Sequence, residues 1–207
     1  MDSKCLQATK DKKMNKQQEL PSVEDFSKLC SGLAEEGRKR LRAHENNPTT
    51  QSWRALAEAI LAYLTIFNGK RGGDVSQMKL IDFVRSNNIK RNLSDVIYGS
   101  LSDEEKEFAS RHHLVTVKGK NQTPNSIIMT TEVKTSMDSL LTTRESCGIL
   151  RKNIFFFAVP KTESSFLRYS RIVTKFTHAF GVSNCKTTMI RKLISTTLQV
   201  NVFLPSI

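Results

Sequence analysis

The feature that most constrains this chain is an apolar helical stripe that stops on a cluster of glycines. Trp53, Leu56, Ile60, Leu64 and Phe67 recur every three or four residues, the period of a helix with one buried face. Directly after them come Asn68-Gly69-Lys70-Arg71-Gly72-Gly73-Asp74. Gly69 can take a positive φ, so the spacing predicts a helix over 51–68 that ends there. Arg71 then falls in a tight turn. Asp74 opens a short second helix, where the dipole favours a carboxylate, with Val75, Met78 and Phe83 on its buried side. A guanidinium held between a helix end, two glycines and an acidic neighbour has the fixed geometry that phosphate recognition needs. A solvated helix corner is the plainer reading of the same residues, and the rest of the sequence has to decide between them.

Charge is the first discriminator. The chain has 207 residues, 38% of them hydrophobic, and a formal net charge of +12. That length fits one domain with a small helical appendage. The excess of positive charge suits a polyanionic partner, most often nucleic acid. Four cysteines, Cys5, Cys30, Cys147 and Cys185, are scattered with no Cys-x-x-Cys pair. They read as reduced intracellular thiols, not as zinc ligands or a disulfide frame. No apolar run is long enough to span a bilayer, and the lysine-rich start lacks the apolar segment of a signal peptide.

Taken in order, residues 1–20 read as a disordered basic arm. A helical segment over 21–47 follows Pro21 and Ser22, with Val23, Phe26, Leu29, Leu33 and Leu41 as its stripe. Its second half carries Arg38, Lys39, Arg40 and Arg42, either a solvated face or one that tracks phosphates. The core region is 48–200. Residues 89–100 read as irregular. Ser102 and Glu105 form a capping box for a helix to about Arg111. His112 and His113 have no partner at metal-ligand spacing and read as surface residues. Strands at 114–117 and 126–129 form a β-hairpin with a basic tip containing Lys118 and Lys120. Thr130 or Thr131 caps a helix carrying Val133, Met137, Leu140 and Leu141. A buried segment spans 153–159. A helix over 163–180 stops at Gly181, and a last helix spans 187–199. The fold class is therefore mainly α with a small antiparallel sheet.

Three basic elements thus lie in sequence order: Arg71 in a glycine turn, a hairpin lysine, and Arg191 near the start of a late helix. The motifs Gly69-Lys70-Arg71-Gly72-Gly73-Asp74, Val117-Lys118-Gly119-Lys120 and Thr188-Met189-Ile190-Arg191-Lys192-Leu193-Ile194-Ser195-Thr196 resemble those of the tyrosine recombinase, or phage integrase, catalytic domain. The nearest flavour is the eukaryotic transposon-derived kind, Crypton- or DIRS-like. The resemblance covers roughly 51–199. It implies a duplex DNA partner, a nuclear location, and metal-free, cofactor-free chemistry in which a tyrosine attacks a phosphodiester. Arg71 and Arg191 would stabilise the charged phosphorane, Lys120 would protonate the leaving oxygen, and Asp74 would buttress Arg71. Lys118 competes with Lys120 for the lysine role. Thr188 stands where the family has histidine, and Lys192 follows the second arginine.

The family's nucleophile lies beyond its second arginine, whereas Tyr63, Tyr98 and Tyr169 all precede Arg191. Tyr63 and Tyr169 fall on or beside apolar stripes, which gives them core roles. The expectation is a truncated copy, with 201–207 as its tail. It would bind DNA without cleaving it in cis, unless a homo-oligomer or a full-length relative supplied the tyrosine. The alternative is a non-enzymatic interaction protein or decayed remnant whose charge binds nucleic acid non-specifically. Convergence of Arg71, Lys120 and Arg191 on one point would separate the two readings.

Overall fold

A computed structural model describes residues 20–119, 123–182 and 185–203, the last six of these by backbone alone. The expected basic arm over 1–20, apart from Leu20, lies outside the described residues, as do Lys120 and residues 204–207.

The glycine-stopped stripe becomes the central helix. α1 (Val23–Asn46) begins where Asp25 N–H donates to Ser22 Oγ at 2.9 Å. α2 (Thr50–Phe67) begins on a reciprocal cap between Thr49 and Ser52, which satisfies otherwise orphaned amides of its first turn. From Leu56 to Ile66 α2 is buried on nearly every side. Its 53–67 stripe therefore understates its burial, because Ala57, Ala59 and Ala62 let neighbours pack closely on the other faces. α1 lies along α2 and adds Leu29 and Leu33 to the same core. Val23, expected in that stripe, is instead 62% exposed, since it sits at the helix end, beyond the reach of α2.

The segment after α2 is more broken than expected. α3 (Gly72–Ser76) starts two residues earlier than Asp74 and stops at Gln77. A separate α4 (Leu80–Val84) carries the buried Phe83. The break is held by Leu80 N–H donating to Ile154 O and Phe156 N–H donating to Met78 O, bonds that an unbroken helix could not make. Residues 89–100 are not irregular. A two-residue strand β1 (Asn87–Asn88) leads into the short helices α5 (Ile89–Asn92) and α6 (Asp95–Ser100), capped by Asn88 and Ser94. α7 (Asp103–Arg111) carries the expected Ser102–Glu105 capping box.

The hairpin forms, with longer strands than predicted. β2 (His112–Lys118) pairs antiparallel with β3 (Pro124–Thr130), Leu114 opposite Ile128 and Val117 opposite Asn125. β1 adds on the other edge of β2, giving the order β1-β2-β3. His112 and His113 are thus half-buried strand residues, and His112 stacks on Phe108 at 3.9 Å between ring centroids. Val115, Val117, Ile127 and Met129 turn inward. α8 (Thr131–Thr142) starts on Thr130, whose side chain accepts from Val133 N–H.

Between α8 and the next helix the chain runs as a long ordered loop around the buried Arg144. The helix expected over 163–180 begins only at Tyr169, as α9 (Tyr169–Ala179). Residues 163–168 are not helical: after a bend at 163–164, Phe166 bridges antiparallel to Ala158, and Leu167 N–H donates to Phe157 O at 2.7 Å. The expected buried segment is confirmed at Phe156, Phe157 and Ala158, but Ile154 within it is 53% exposed, because its carbonyl, not its side chain, turns inward to accept from Leu80 N–H. Gly181 follows α9 as predicted, and α10 (Thr187–Phe203) packs against α2.

Candidate phosphate-binding site

Gly69 shapes the site. Its φ is +54°, a conformation that disfavours a side chain, and Ile194 of α10 lies so close that a Cβ there would meet Ile194 Cδ1 at 2.5 Å. That approach brings α10 onto the end of α2. Arg191 precedes Ile194 by three residues, one helical turn, and so lies on the same side of α10. The result is a cleft of about 670 Å3 lined by Lys70, Arg71, Asp74, Asn125, Arg191 and Ser195, among others. Arg71 is the exposed N-cap of α3, and Arg191 is half-buried. Among the described residues neither guanidinium has a side-chain hydrogen bond or ion pair. The described lining holds three cations, Lys70, Arg71 and Arg191, against one carboxylate, Asp74.

Asp74 does not do what was expected of it. Among the described residues its carboxylate makes no bond to Arg71. It accepts from Asn125 Nδ2 of β3 at 3.0 Å, and Gly119 lies beside the same oxygen. Asn68, on the other side of the turn, also reaches the hairpin. Its Nδ2 donates to Ile128 O at 2.8 Å, and its Oδ1 accepts from Ile128 N–H at 2.7 Å. The two struts grip β3 three residues apart and fix the hairpin to the arginine turn. On the outer side, a Cβ on Gly72 would overlap the Tyr169 ring, and Tyr169 N–H donates to Ser76 Oγ at 3.3 Å. α9 is thereby seated against α3.

The other predicted residues separate. Lys118 is exposed at the end of β2 and Lys192 is exposed on α10, and neither lines the cleft. Thr188 is exposed and faces a different groove, shared with Tyr169, Thr174 and His178. In the basic half of α1, Arg38 pairs with Glu35 at 2.7 Å and Glu132 at 3.2 Å. Arg40 binds Glu36 at 2.7 Å and Ala55 O at 2.7 Å and lies over the Phe176 ring. Both arginines are engaged within the chain, whereas Lys39 and Arg42 face solvent.

None of the three tyrosines lines the cleft. Tyr63 is 8% exposed within the core, and burial pushes its hydroxyl up to about 12. Tyr98 lies on α6, and the Tyr169 ring is committed to Gly72. Among the described residues no cluster of three or more His, Cys, Asp or Glu side chains is placed to hold a metal. Sequence reasoning missed Asn68, Asn125 and Ser195 as cleft residues. Asn68 sat in the highlighted stretch, but an amide at a helix end gives no hint that it will mimic a strand.

No family model matches this chain, and no curated protein does. Solved structures do. The chain is similar to the site-specific recombinase XerH bound to palindromic difH substrate in a post-cleavage complex, with a TM-score of 0.56 and 15% identity over 89% of this chain and 43% of that one. It is similar also to XerH bound to difH in a pre-cleavage complex, with a TM-score of 0.52 and 15% identity over 86% of this chain and 41% of that one. The fold is tyrosine-recombinase-like, and the chain spans less than half the length of these neighbours.

Proposed function

We propose that this chain is a recombinase-derived duplex-DNA-binding protein that seats a backbone phosphate between Arg71 and Arg191. The observation that carries the reading is the convergence of these two arginines, far apart in sequence, on one cleft. Two guanidinium groups can offer paired N–H donors to the two non-bridging oxygens of a phosphodiester. Lys70 adds charge, and Ser195 adds a hydroxyl at the rim. The same arrangement would stabilise a phosphorane if a nucleophile were present. With no tyrosine of its own in the cleft, the chain binds without forming a phosphotyrosine link in cis. The transposon-derived origin and the nuclear location suggested by the motif resemblance belong to this same proposal.

The test is duplex binding as a function of salt, comparing the intact chain with Arg71→Ala/Arg191→Ala. The expected result is an affinity loss of about tenfold or more and a log–log salt slope shallower by about one, because both arginines neutralise the same phosphate. Unchanged affinity and slope would overturn the reading. Incubation with nicked or suicide duplexes should leave no denaturation-stable protein–DNA adduct. Such an adduct would show that cleavage chemistry survives.

A further inference from the structure

The lobe between the arginine turn and the hairpin keeps its apolar side chains outside. It comprises β1 and the short helices α5, α6 and α7, and Ala109 is the one buried residue on those three helices. Of the nine large apolar side chains exposed among the described residues, five lie on this lobe or just before it: Ile81, Val84, Val96, Ile97 and Phe108. Their exposure is therefore a local property, not the usual scatter of single residues. Val96 is 84% exposed and Ile97 51%, and both belong to α6, which is six residues long. A helix that short is marginal by itself, and helices in proteins draw most of their stability from a packed apolar face. Within the chain α6 has no such face. Polar contacts hold it in place: Ile97 N–H donates to Ser94 Oγ at 3.4 Å, and Lys90 Nζ lies 5.0 Å from the centre of the Tyr98 ring. Asn88 Nδ2 fastens α7 by donating to Ser110 O at 2.7 Å.

The charge of the lobe is opposite to that of the chain. Against a net +12, residues 95–107 carry Asp95, Asp103, Glu104, Glu105 and Glu107 with Lys106 as their one cation, and all five carboxylates are exposed. Glu105 is used in the α7 cap, while Asp103 and Glu107 pair with Lys106 at 3.8 Å and Arg111 at 2.6 Å. Asp95 and Glu104 make no ion pair or side-chain hydrogen bond among the described residues. Such a surface repels a duplex backbone. Exposed aliphatic side chains beside free carboxylates fit apolar anchors flanked by lysine or arginine. The sheet order puts the lobe at the β1 edge, whereas β3, which brings Asn125 to the Arg71–Arg191 cleft, forms the other edge. A partner on the lobe therefore leaves the cleft open.

We infer that the α6–α7 lobe is a protein-docking surface for a lysine- or arginine-rich amphipathic helix, whose apolar residues cover Val96 and Ile97 and whose cations meet Asp95 and Glu104. The bound helix gives α6 the apolar neighbour that its own chain does not supply. The inference uses none of the cleft residues, so it stands or falls apart from the DNA-binding reading.

The probe is a labelled synthetic helix of about 18 residues, with leucines at i, i+3, i+4 and i+7 and lysines on the flanking positions. It is titrated with the full chain, and binding is read by anisotropy. A chain of +12 repels this peptide over most of its surface, so saturable binding that weakens as salt rises is the expected result. Val96→Ser/Ile97→Ser should weaken it about tenfold. Asp95→Asn/Glu104→Gln should weaken it about threefold at low salt and leave it unchanged at about 0.5 M. A matched peptide with glutamate in place of every lysine should not bind. The inference is overturned if the lysine peptide does not bind, if the glutamate peptide binds equally well, or if both variants bind as the intact chain does. Sedimentation of the chain alone tests a second copy as the occupant: self-association abolished by Val96→Ser/Ile97→Ser would assign the face to that copy and overturn the inference. Duplex binding by the same variant should match the intact chain, and a loss would make the lobe part of a DNA surface, with the same consequence. Both apolar residues are exposed, so the melting temperature should hold. If that pair disturbs α6, the isosteric acid pair carries the test.

Discussion

At the scale of single residues, the site depends on two amides as well as on its arginines. Asn68 supplies both a donor and an acceptor to Ile128, so Asn68→Ala leaves a strand amide and carbonyl without partners. Each hydrogen bond of this kind contributes about 1 kcal/mol, so Asn68→Ala should cost about 2 kcal/mol in chemical denaturation. Asn125→Ala should cost about half that and should speed amide exchange in β2 and β3 near the turn. Full retention of exchange protection would show that the hairpin is held without the Asp74 strut. Arg71 and Arg191 were legible in the sequence because glycines and a helical motif flank them. Asn68 and Asn125 were not, because their role depends on a backbone that arrives from a distant segment. The same holds for His44. It is fully buried between Ser52 Oγ at 2.9 Å and Thr143 Oγ1 at 2.7 Å, and burial lowers its pKa from 6.5. His113 is lowered too, again chiefly by burial, with Lys134 pushing the same way. A histidine depressed in the folded state is protonated more readily in the unfolded chain. Stability should therefore be flat above the unfolded pKa and fall as pH drops below about 6.5. His44→Gln should reduce the slope of melting temperature against pH in that window, and an unchanged slope would remove His44 as its source.

At the scale of elements, local chemistry that closes on itself was readable. The Ser102–Glu105 box, the Thr130 cap and the alternation of the hairpin all depend on residues within a few positions of one another. What escaped was the loop from Thr143 to Arg168, because its organiser is buried and non-periodic. Arg144 is 6% exposed and donates to the carbonyls of Asn153 at 2.6 Å, Phe155 at 2.9 Å and Phe156 at 3.1 Å. Burial draws its pKa down to about 10, so it stays charged at neutral pH. Asn153 in turn donates to Thr162 O and Ser165 O. This network spends the backbone groups of 153–165 on side chains, and that is why an apolar stripe around Phe166 did not become a helix. Arg144→Met keeps the volume but strands three carbonyls. It should cost roughly 2–4 kcal/mol and expose the loop to proteolysis, and a loss within about 0.5 kcal/mol would show that the carbonyls find other partners.

At the scale of the molecule, the sequence suggested a helical piece over 21–47 standing apart from a core over 48–200, and composition alone could not say whether α1 carries its own contacts. The structure gives it many. Leu29 and Leu33 are fully buried in the common core, and Ile60 of α2 packs against Gly37. Arg40 ends on the Ala55 carbonyl, and His44 links Ser52 at the start of α2 to Thr143 beyond α8. Removing α1 would uncover the flank of α2 that holds Ile60 and would leave polar atoms of Ser52 and Thr143 without their partner. Burying one leucine side chain is worth about 2 kcal/mol, and a domain's net stability is only about 5–15 kcal/mol. A chain covering 48–207 should therefore lose its cooperative thermal transition and bind a hydrophobic dye, and the DNA binding proposed above should fall with it, since the cleft is built on the far end of the same helix. A sharp transition in that shortened chain would show that α2 and the segments after it form a core of their own, with α1 as an appendage that could move relative to the Arg71–Arg191 cleft.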